Sequence, residues 1–476
     1  MDLYLIGHDH KYAAEQMLLT LYPDERPVYP AGSPAGDHAV LTVAEGAASC
    51  RLVRNGGTFE DTEPVGAYDS DYDRVRQEQH ALKLAFYRAA LSSGRPKPPW
   101  GALTGVKPGK LMARYLTEGR TAEDFARDFD VDPDRAALCE TTTRHTLAAK
   151  NSLRPGDAGL YVGIPFCPTR CSYCSFISNA VGGNMGLMEP YLDALLTEIA
   201  HTGRAARQAG QRPVSVYFGG GTPTTLSPAQ LDRLCAALEN AFDLTALREY
   251  TVEAGRPDTI TAEKLAVLKA RGVTRVSVNP QTMSDEVLEA IGRKHTARDV
   301  IDALALVRAA GGFQVNMDLI AGLPKDTPDS FRRTMETVLD LAPENITVHT
   351  LAIKNGSCLS ERKELLPDAE AVGEMVGHAT AALNAAGYVP YYLYRQKYMS
   401  GGFENVGWRK GASVNLYNIL MMEELCPILA MGAGASTKRT GPAGAVYRHI
   451  NPKYPKEYIQ RIREEFPPVQ PEESLL

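Results

Sequence analysis

The chain has no uninterrupted apolar run of about 18 residues, so no membrane-spanning helix is expected. Its start, "MDLYLIGHDHKYAAEQ", lacks a basic stretch followed by a long apolar one, and no signal peptide is expected. Cysteine is sparse. Eight in 476 residues, unevenly spaced, are too few for a secreted disulfide framework, and a reducing, cytoplasmic setting is expected. Basic residues do not dominate: 51 Lys and Arg face 57 Asp and Glu, which argues against a broad nucleic-acid footprint. No low-complexity tract is present. What remains is 44% hydrophobic and 23% charged, the balance of an ordinary globular chain with material for about three domains.

From about Ala158 to Ala352 a strand–helix rhythm repeats. "LYVGIPF" (160–166), "PVSVYF" (213–218), "EYTVEAG" (249–255), "RVSVNPQ" (275–281), "FQVNMDLI" (313–320) and "NITVHTL" (345–351) read as six short, apolar or β-branched strands. Between them run helical patterns, such as Leu192, Leu195, Leu196 and Ile199. Ser227, Pro228 and Gln230 form a capping box with proline at the first helical position, and Thr327 and Pro328 start the last helix of the series. Crossovers of this length imply a parallel sheet, either doubly wound or a partial β/α barrel. In both, ligands belong at the C-terminal ends of the strands. The polar candidates fall there: the cysteines after strand one, "GGGTPT" after two, Glu253 ending three, Gln281 after four, Asp318 on five.

The first 150 residues suggest a small strand meander, then helices at 71–93, 109–118 and 121–129. Beyond Leu359 helix mixes with "YVPYYLYRQKY" and a glycine-rich "LAMGAGAS" (429–436).

Cys167, Cys171 and Cys174 follow C-x3-C-x2-C spacing on one tight loop, "FCPTRCSYCSF". Three thiols on such a loop cannot all pair as disulfides. Structural zinc needs four protein ligands, and Cys139, Cys235 and His201 lack knuckle spacing. A cubane iron–sulfur cluster takes four ligands, so a loop giving three leaves one iron open to a substrate or cofactor.

The triplet resembles the motif of radical S-adenosylmethionine (SAM) enzymes. The wider phrase "YVGIPFCPTRCSYCSF" resembles the oxygen-independent coproporphyrinogen III oxidase family, most closely its HemZ (coproporphyrinogen dehydrogenase) branch. The resemblance continues through "GGGTPTTL", "EAGRPDTIT", "NPQTM…IGRKHT", "DLIAGLP" and "LAMGAGAS", from about Tyr161 to Lys438. It implies an α/β fold: a partial (β/α)6 barrel of the radical SAM type over 151–355. An N-terminal α+β accessory domain (1–150) and a C-terminal family-specific domain (356–476) flank it. The implied cofactors are a 4Fe-4S cluster on Cys167, Cys171 and Cys174, and SAM on its open iron.

By the same resemblance, Tyr161, Tyr173, Gly220, Gly221, Thr222, Glu253, Gln281, Arg293, Asp318 and Ala352 line the cofactor. Each has a plainer reading from the residues alone. "GGGTPT" is also a tight turn, Arg293 an exposed helical residue, and Tyr161, Tyr173 and Ala352 packing. Asp318 stands out physically, since a carboxylate inside "NMDLIAGLP" is costly unless paired. His8 and His10 read as a surface pair. The remaining cysteines, Cys50, Cys139, Cys235, Cys358 and Cys426, read as buried small residues. The Lys107–Lys110 and Arg409–Lys410 pairs are candidate carboxylate contacts or solvated charge.

The resemblance implies anaerobic oxidative decarboxylation of coproporphyrinogen III propionates to vinyl groups, giving protoporphyrinogen IX for haem biosynthesis. An external electron donor such as flavodoxin or ferredoxin supplies the reducing electron. Two positions depart from the oxidase pattern: Phe176 replaces a further cysteine, and Gly163 replaces a histidine before "IPFC". A haem-binding chaperone branch also lacks that cysteine, but its H-N-x-x-Y-W signature is only half matched by "VNLYN" (414–418). The alternatives are thus that chaperone role, or a radical SAM enzyme acting on another small molecule, such as a methyltransferase or a haem-degrading enzyme.

Overall fold

The computed structural model describes residues 1–174, 179–180, 185–352, 359, 366–396, 399–441 and 446–466. They fall into two compact units, Met1–Glu140 with Arg395–Phe403, and Thr141–Tyr394 with Glu404–Leu476.

In the first unit, Asp2–Ile6 runs parallel to His38–Ala44, which continues antiparallel into Ala47–Arg54 and Gly57–Pro64. Asn55 and Gly56 both take positive φ (50° and 80°), which matches a two-residue hairpin to the right-handed twist of its strands. Helices Lys11–Leu21 and Asp71–Ser92 cover the sheet, burying Leu3, Met17, Leu41, Leu52 and Phe86. The expected meander and the helices at 71–92, 108–117 and 122–129 are present. The surface reading of the histidine pair is corrected. His10 is only 8% exposed, and its Nε2 meets Glu78 at 2.8 Å.

The second unit is built on one sheet. Its first to sixth barrel strands are Asp157–Ile164, Arg212–Gly220, Glu249–Glu253, Arg275–Ser277, Gln314–Ala321 and Asn345–Thr350, each parallel to the next. The capping box at Ser227 forms as expected, Thr327 and Pro328 start their helix as expected and Thr327 makes a second box, and Thr296–Asp299 adds another. The sheet continues past both ends of the six. Ile428–Met431 pairs parallel with the first strand, followed antiparallel by Ser436–Thr440 and Val446–Ile450. At the other edge Asn405–Arg409 pairs antiparallel with the sixth strand, and Val389–Tyr394 with it in turn.

Side-chain alternation explains why these strands enclose a polar interior. Val214, Val216 and Phe218, or Val315, Met317 and Leu319, are buried apolar positions along their strands. The residues between them meet across strands: Tyr217 with Glu253, Thr347 with Asn316, Arg275 with both Glu249 and Gln314. At the N-terminal end, Glu249 pairs with Arg275 at 3.2 Å and accepts from Leu416 N (2.6 Å) and Tyr417 N (3.2 Å). That carboxylate caps the helix Leu416–Glu423 and fixes Tyr417 in the interior. Arg275→Met is expected to cost about 3–5 kcal/mol in denaturant unfolding, because it leaves Glu249 buried without its cation.

Among the described residues no helix is long and apolar enough to cross a membrane.

Candidate functional site

The cysteine loop begins where the first barrel strand ends. Phe166–Cys167 pairs with Asn179–Ala180, and the loop is tied down by backbone and side-chain bonds. Ser172 N donates to Ile291 O (3.0 Å), Cys174 N to Cys171 O (3.2 Å) and Thr169 Oγ1 to Gly292 O (3.5 Å). Cys171 is 9% exposed, whereas Cys167 and Cys174 are half-buried. The seven described cysteines are thiols rather than halves of disulfides. Cys50, Cys139, Cys235 and Cys426 are buried as expected, and Cys358 lies outside the described residues. Phe176 also lies outside them.

The glycine run earns its place sterically. A Cβ on Gly221 would stand 2.6 Å from Phe166 O and 2.9 Å from Cys167 Sγ. Gly220 has φ +108°, a region side chains rarely adopt, and Gly219 packs against the Tyr161 and Tyr217 rings and the Glu253 carboxylate. Gly221 N and Thr222 N donate to Ile164 O (2.7 Å) and Phe166 O (2.8 Å), joining the two loops. Thr222 Oγ1 donates to Cys167 Sγ at 3.5 Å. Gly221→Ala is expected to push Cys167 aside and lower the iron bound per chain on reconstitution, measured by iron assay.

Two buried guanidinium groups brace the loop from the far side. Arg256, 3% exposed, donates from Nη1 to Thr169 Oγ1 (2.9 Å) and to Cys171 Sγ (3.9 Å). Arg293 is 8% exposed, not the surface residue that helical spacing allows. It donates to Asn279 O (2.6 Å), Gly255 O (3.3 Å) and Tyr173 OH (3.3 Å). Such donors and charges around a cluster's thiolates tune it. His295, beside them, is held neutral: burial, then Arg293 and Arg256, lower its pKa to about 3.

Glu253 ends the third strand and accepts from Tyr217 OH at 2.5 Å. Burial, with Asp318 adding to it and the Tyr217 hydrogen bond opposing, raises its pKa to about 8. Tyr161, Tyr217 and Tyr417 stack beside it, with Tyr217 and Tyr417 ring centroids 4.4 Å apart. Gln281 follows the fourth strand in a left-handed conformation (φ +67°), a strained choice for a side-chain-bearing residue. Gln281 N donates to Asp318 O (2.9 Å) and Gln281 O accepts from Ile320 N (3.0 Å), so the fifth strand imposes it. Asp318 Oδ1 accepts from Asn316 Nδ2 at 2.8 Å, the pairing its apolar strand demanded. Ala352 stands two residues past the sixth strand, half-buried.

The structure thus brings the cysteine loop, Tyr173, Arg293, Gly220, Gly221 and Thr222 together, with Tyr161, Glu253, Gln281 and Asp318 on or just after the neighbouring strands of the same sheet. Arg409 and Lys410 are elsewhere. Arg409 pairs in register with Asn345 at the start of the sixth strand, the opposite end of the barrel. Sequence reasoning missed Arg256, Tyr217, Asn279 and Tyr417. For Arg256 a signal existed, an arginine inside the quoted "EAGRPDT".

The residues fit a cluster and its cofactor. Among the described residues no three His, Cys, Asp or Glu side chains converge on one metal ion. Ligands of one tetrahedral zinc sit only about 3.8 Å apart, whereas a cubane gives each thiolate its own iron and needs no such convergence. Around the loop, Gln281 Oε1, Arg256 Nη2, Arg293 Nε and both His295 nitrogens are buried without a hydrogen-bond partner. Buried polar atoms are ordinarily paired, so this set is arranged for a polar ligand.

Comparison with known proteins agrees. The pattern of the radical SAM superfamily matches residues 161–338. Oxygen-independent coproporphyrinogen-III oxidase-like protein HemZ of Bacillus subtilis is 39% identical over 373 residues, covering 76% of this chain and 74% of that one. Heme chaperone HemW of Escherichia coli is 27% identical over 301 residues, 63% of this chain and 75% of that one. Among solved structures, coproporphyrinogen III oxidase (HemN) of Escherichia coli aligns with a TM-score of 0.54 at 26% identity, covering 67% of this chain and 72% of that one. The chain therefore belongs to the radical SAM superfamily, which works with a 4Fe-4S cluster and SAM, and within it to the HemZ-like group of the oxygen-independent coproporphyrinogen III oxidase family.

Proposed function

We propose that this protein is an oxygen-independent porphyrinogen oxidoreductase that converts propionate side chains of coproporphyrinogen III to vinyl groups, giving protoporphyrinogen IX. The observation that carries the reading is the three-thiol loop set beside buried, unpartnered polar groups at the strand ends, in a chain so similar to HemZ. Cys167, Cys171 and Cys174 would hold the cluster. Bound there, the cluster and SAM would supply the radical chemistry that removes one hydrogen atom from the propionate. The substrate then loses carbon dioxide and one electron, the latter to an acceptor outside the chain.

This chain's residues bind, orient and exclude water. Gly220, Gly221 and Thr222 offer a close backbone edge for SAM. Arg293 and Gln281 suit its carboxylate and ribose hydroxyls, and Glu253 and Asp318 its positive and hydroxyl groups. Tyr161, Tyr173 and Ala352 line the cavity. The stacked Tyr161, Tyr217 and Tyr417 close the floor against solvent. Flavodoxin or ferredoxin fits as the electron source.

The chaperone reading is weaker on one observation. Asn418 stands where the spacing of the haem signature puts its tyrosine, and the neighbouring Tyr417 is 4% exposed and stacked on Tyr217, so it is not presented to a haem. The test is anaerobic incubation of reconstituted protein with SAM, reductant and coproporphyrinogen III. Protoporphyrinogen with released carbon dioxide is the expected result. SAM cleavage without decarboxylation would mean another substrate, and tight haem binding with neither activity would mean the chaperone role.

A further inference from the structure

The fifth and sixth barrel strands carry a polar group beyond those residues. Thr347 Oγ1 donates to Asn316 Oδ1 (3.3 Å), and Asn316 Nδ2 donates to Asp318 Oδ1 (2.8 Å). Next along the sixth strand comes His349. Its Nδ1 faces Tyr394 OH at 3.4 Å, and its Nε2 faces Asp318 Oδ1 at 3.9 Å. Asn316, Thr347 and Thr350 around it are buried, yet the His349 and Asp318 side chains are 26% and 22% exposed. They therefore border open space at the strand ends.

The two contacts of the ring differ in kind. The Tyr394 hydroxyl is within hydrogen-bond range and sets the plane of the imidazole. The 3.9 Å gap to Asp318 is too long for a hydrogen bond. In the tautomer in which Tyr394 OH donates to Nδ1, the one the proposal takes, the ring proton sits on Nε2, facing that gap. An N–H so placed is directed at whatever occupies the space beside Asp318.

A carboxylated substrate needs such a donor. The interior on this side carries the carboxyl groups of Glu253 and Asp318. The guanidinium of Arg293 is assigned above to SAM, and that of Arg275 bonds to Glu249 and Val414 O at the far end of the barrel. Resting on the porphyrinogen reading above, we propose that His349 is a substrate-positioning residue, whose Nε2–H holds the carboxylate of the propionate about to lose carbon dioxide. Held there, the carbon–carboxylate bond is fixed in one orientation while the neighbouring carbon stands beside the cofactor cavity. Tyr394 is the residue that keeps the ring aimed.

The test compares full-length, reconstituted wild type, His349→Phe and His349→Gln, each checked for cluster iron. The phenylalanine variant is expected to raise KM for coproporphyrinogen III by roughly ten- to a hundredfold. It is also expected to form more 5′-deoxyadenosine per carbon dioxide released, while the glutamine variant, which keeps an N–H donor, recovers most of the KM. A phenylalanine variant with KM within about twofold of wild type and unchanged coupling overturns the proposal. Tyr394→Phe, which frees the ring, gives the same decision should His349→Phe not fold: a raised KM supports the proposal, an unchanged one overturns it. If wild type makes no protoporphyrinogen, it is the functional reading that fails. Binding of coproporphyrin III against its tetramethyl ester, followed by fluorescence, then decides the site itself. A preference for the free acid that His349→Phe abolishes supports it, and a preference equal in both proteins, or none in wild type, overturns it.

Discussion

Cys171→Ala is expected to yield a folded protein that binds almost no iron and cleaves no SAM. Of the three thiols on the loop, Cys171 is the most enclosed, with Arg256 Nη1 3.9 Å from its sulfur and the loop pinned on either side by Thr169 and Ser172. Removing it would leave one iron of the cluster without a protein ligand, at a buried point of the loop held in place by these bonds. The fold should survive, because the barrel strands and their helices do not depend on that sulfur. Circular dichroism at wild-type level, with loss of iron, of the visible cluster absorbance and of 5′-deoxyadenosine, is the combined expected result. Cys235→Ala serves as the control, since Cys235 is buried against Tyr250 OH at 3.3 Å, on a helix behind the sheet. A Cys171→Ala protein that kept a normal cluster would remove this residue from the ligand set.

Glu253→Gln is expected to weaken SAM binding by about ten- to a hundredfold, the worth of a lost charge-assisted hydrogen bond. The same change should make the ligand-free protein more stable. Burial and Asp318 raise the Glu253 pKa from 4.5 to about 8, so at neutral pH the carboxyl is protonated in the folded chain and ionised in the unfolded one. The sign follows from linkage. A raised pKa contributes stability that is fully present below pH 4.5 and is lost as pH rises through about 8. Glutamine has no such loss, so near pH 8 the variant should gain up to about 4 kcal/mol over wild type. SAM, being cationic at its sulfonium and amino groups, favours the ionised carboxylate. Wild-type affinity for SAM should therefore rise as pH climbs from 6 to 8 while that of Glu253→Gln stays flat, which calorimetric titration at several pH values would show. Equal pH dependence in the two proteins would dissociate Glu253 from the cofactor.

These residues also show what could be read in the sequence. The six barrel strands lie within a few residues of where apolar and β-branched runs placed them, because each is short and bounded by turn residues, and the helices after the second, third and fifth open on side-chain caps. Asp318 announced itself as a carboxylate inside an apolar run. Tyr217, Asn316 and His349 carried the same kind of signal more quietly, as polar residues at alternate positions of strands whose other positions are Val, Ile, Leu, Met or Phe. What the sequence hid is long-range. Tyr417 reaches the site only because Glu249, far earlier in the chain, caps its helix. The helices Lys11–Leu21 and Pro133–Ser152 were missed, although Asp132 caps the second and Pro133 opens it. The first has no side-chain cap, and the second holds a run of three threonines, weak helix formers, at its centre.

The pairing of Ile428–Met431 with the first barrel strand bears on how the protein is made. A chain leaves the ribosome from its N-terminus, and its early parts begin folding first. The strand that carries the cysteine loop can meet its inner neighbour, Arg212–Gly220, soon after both emerge. Its outer edge has no partner until nearly the whole chain has been synthesised, and such an open edge invites pairing with other chains. A ribosome stalled before Ile428 would thus expose an unpaired strand beside three reactive thiols. Loading of iron is best timed after termination, when the last strands have sealed that edge.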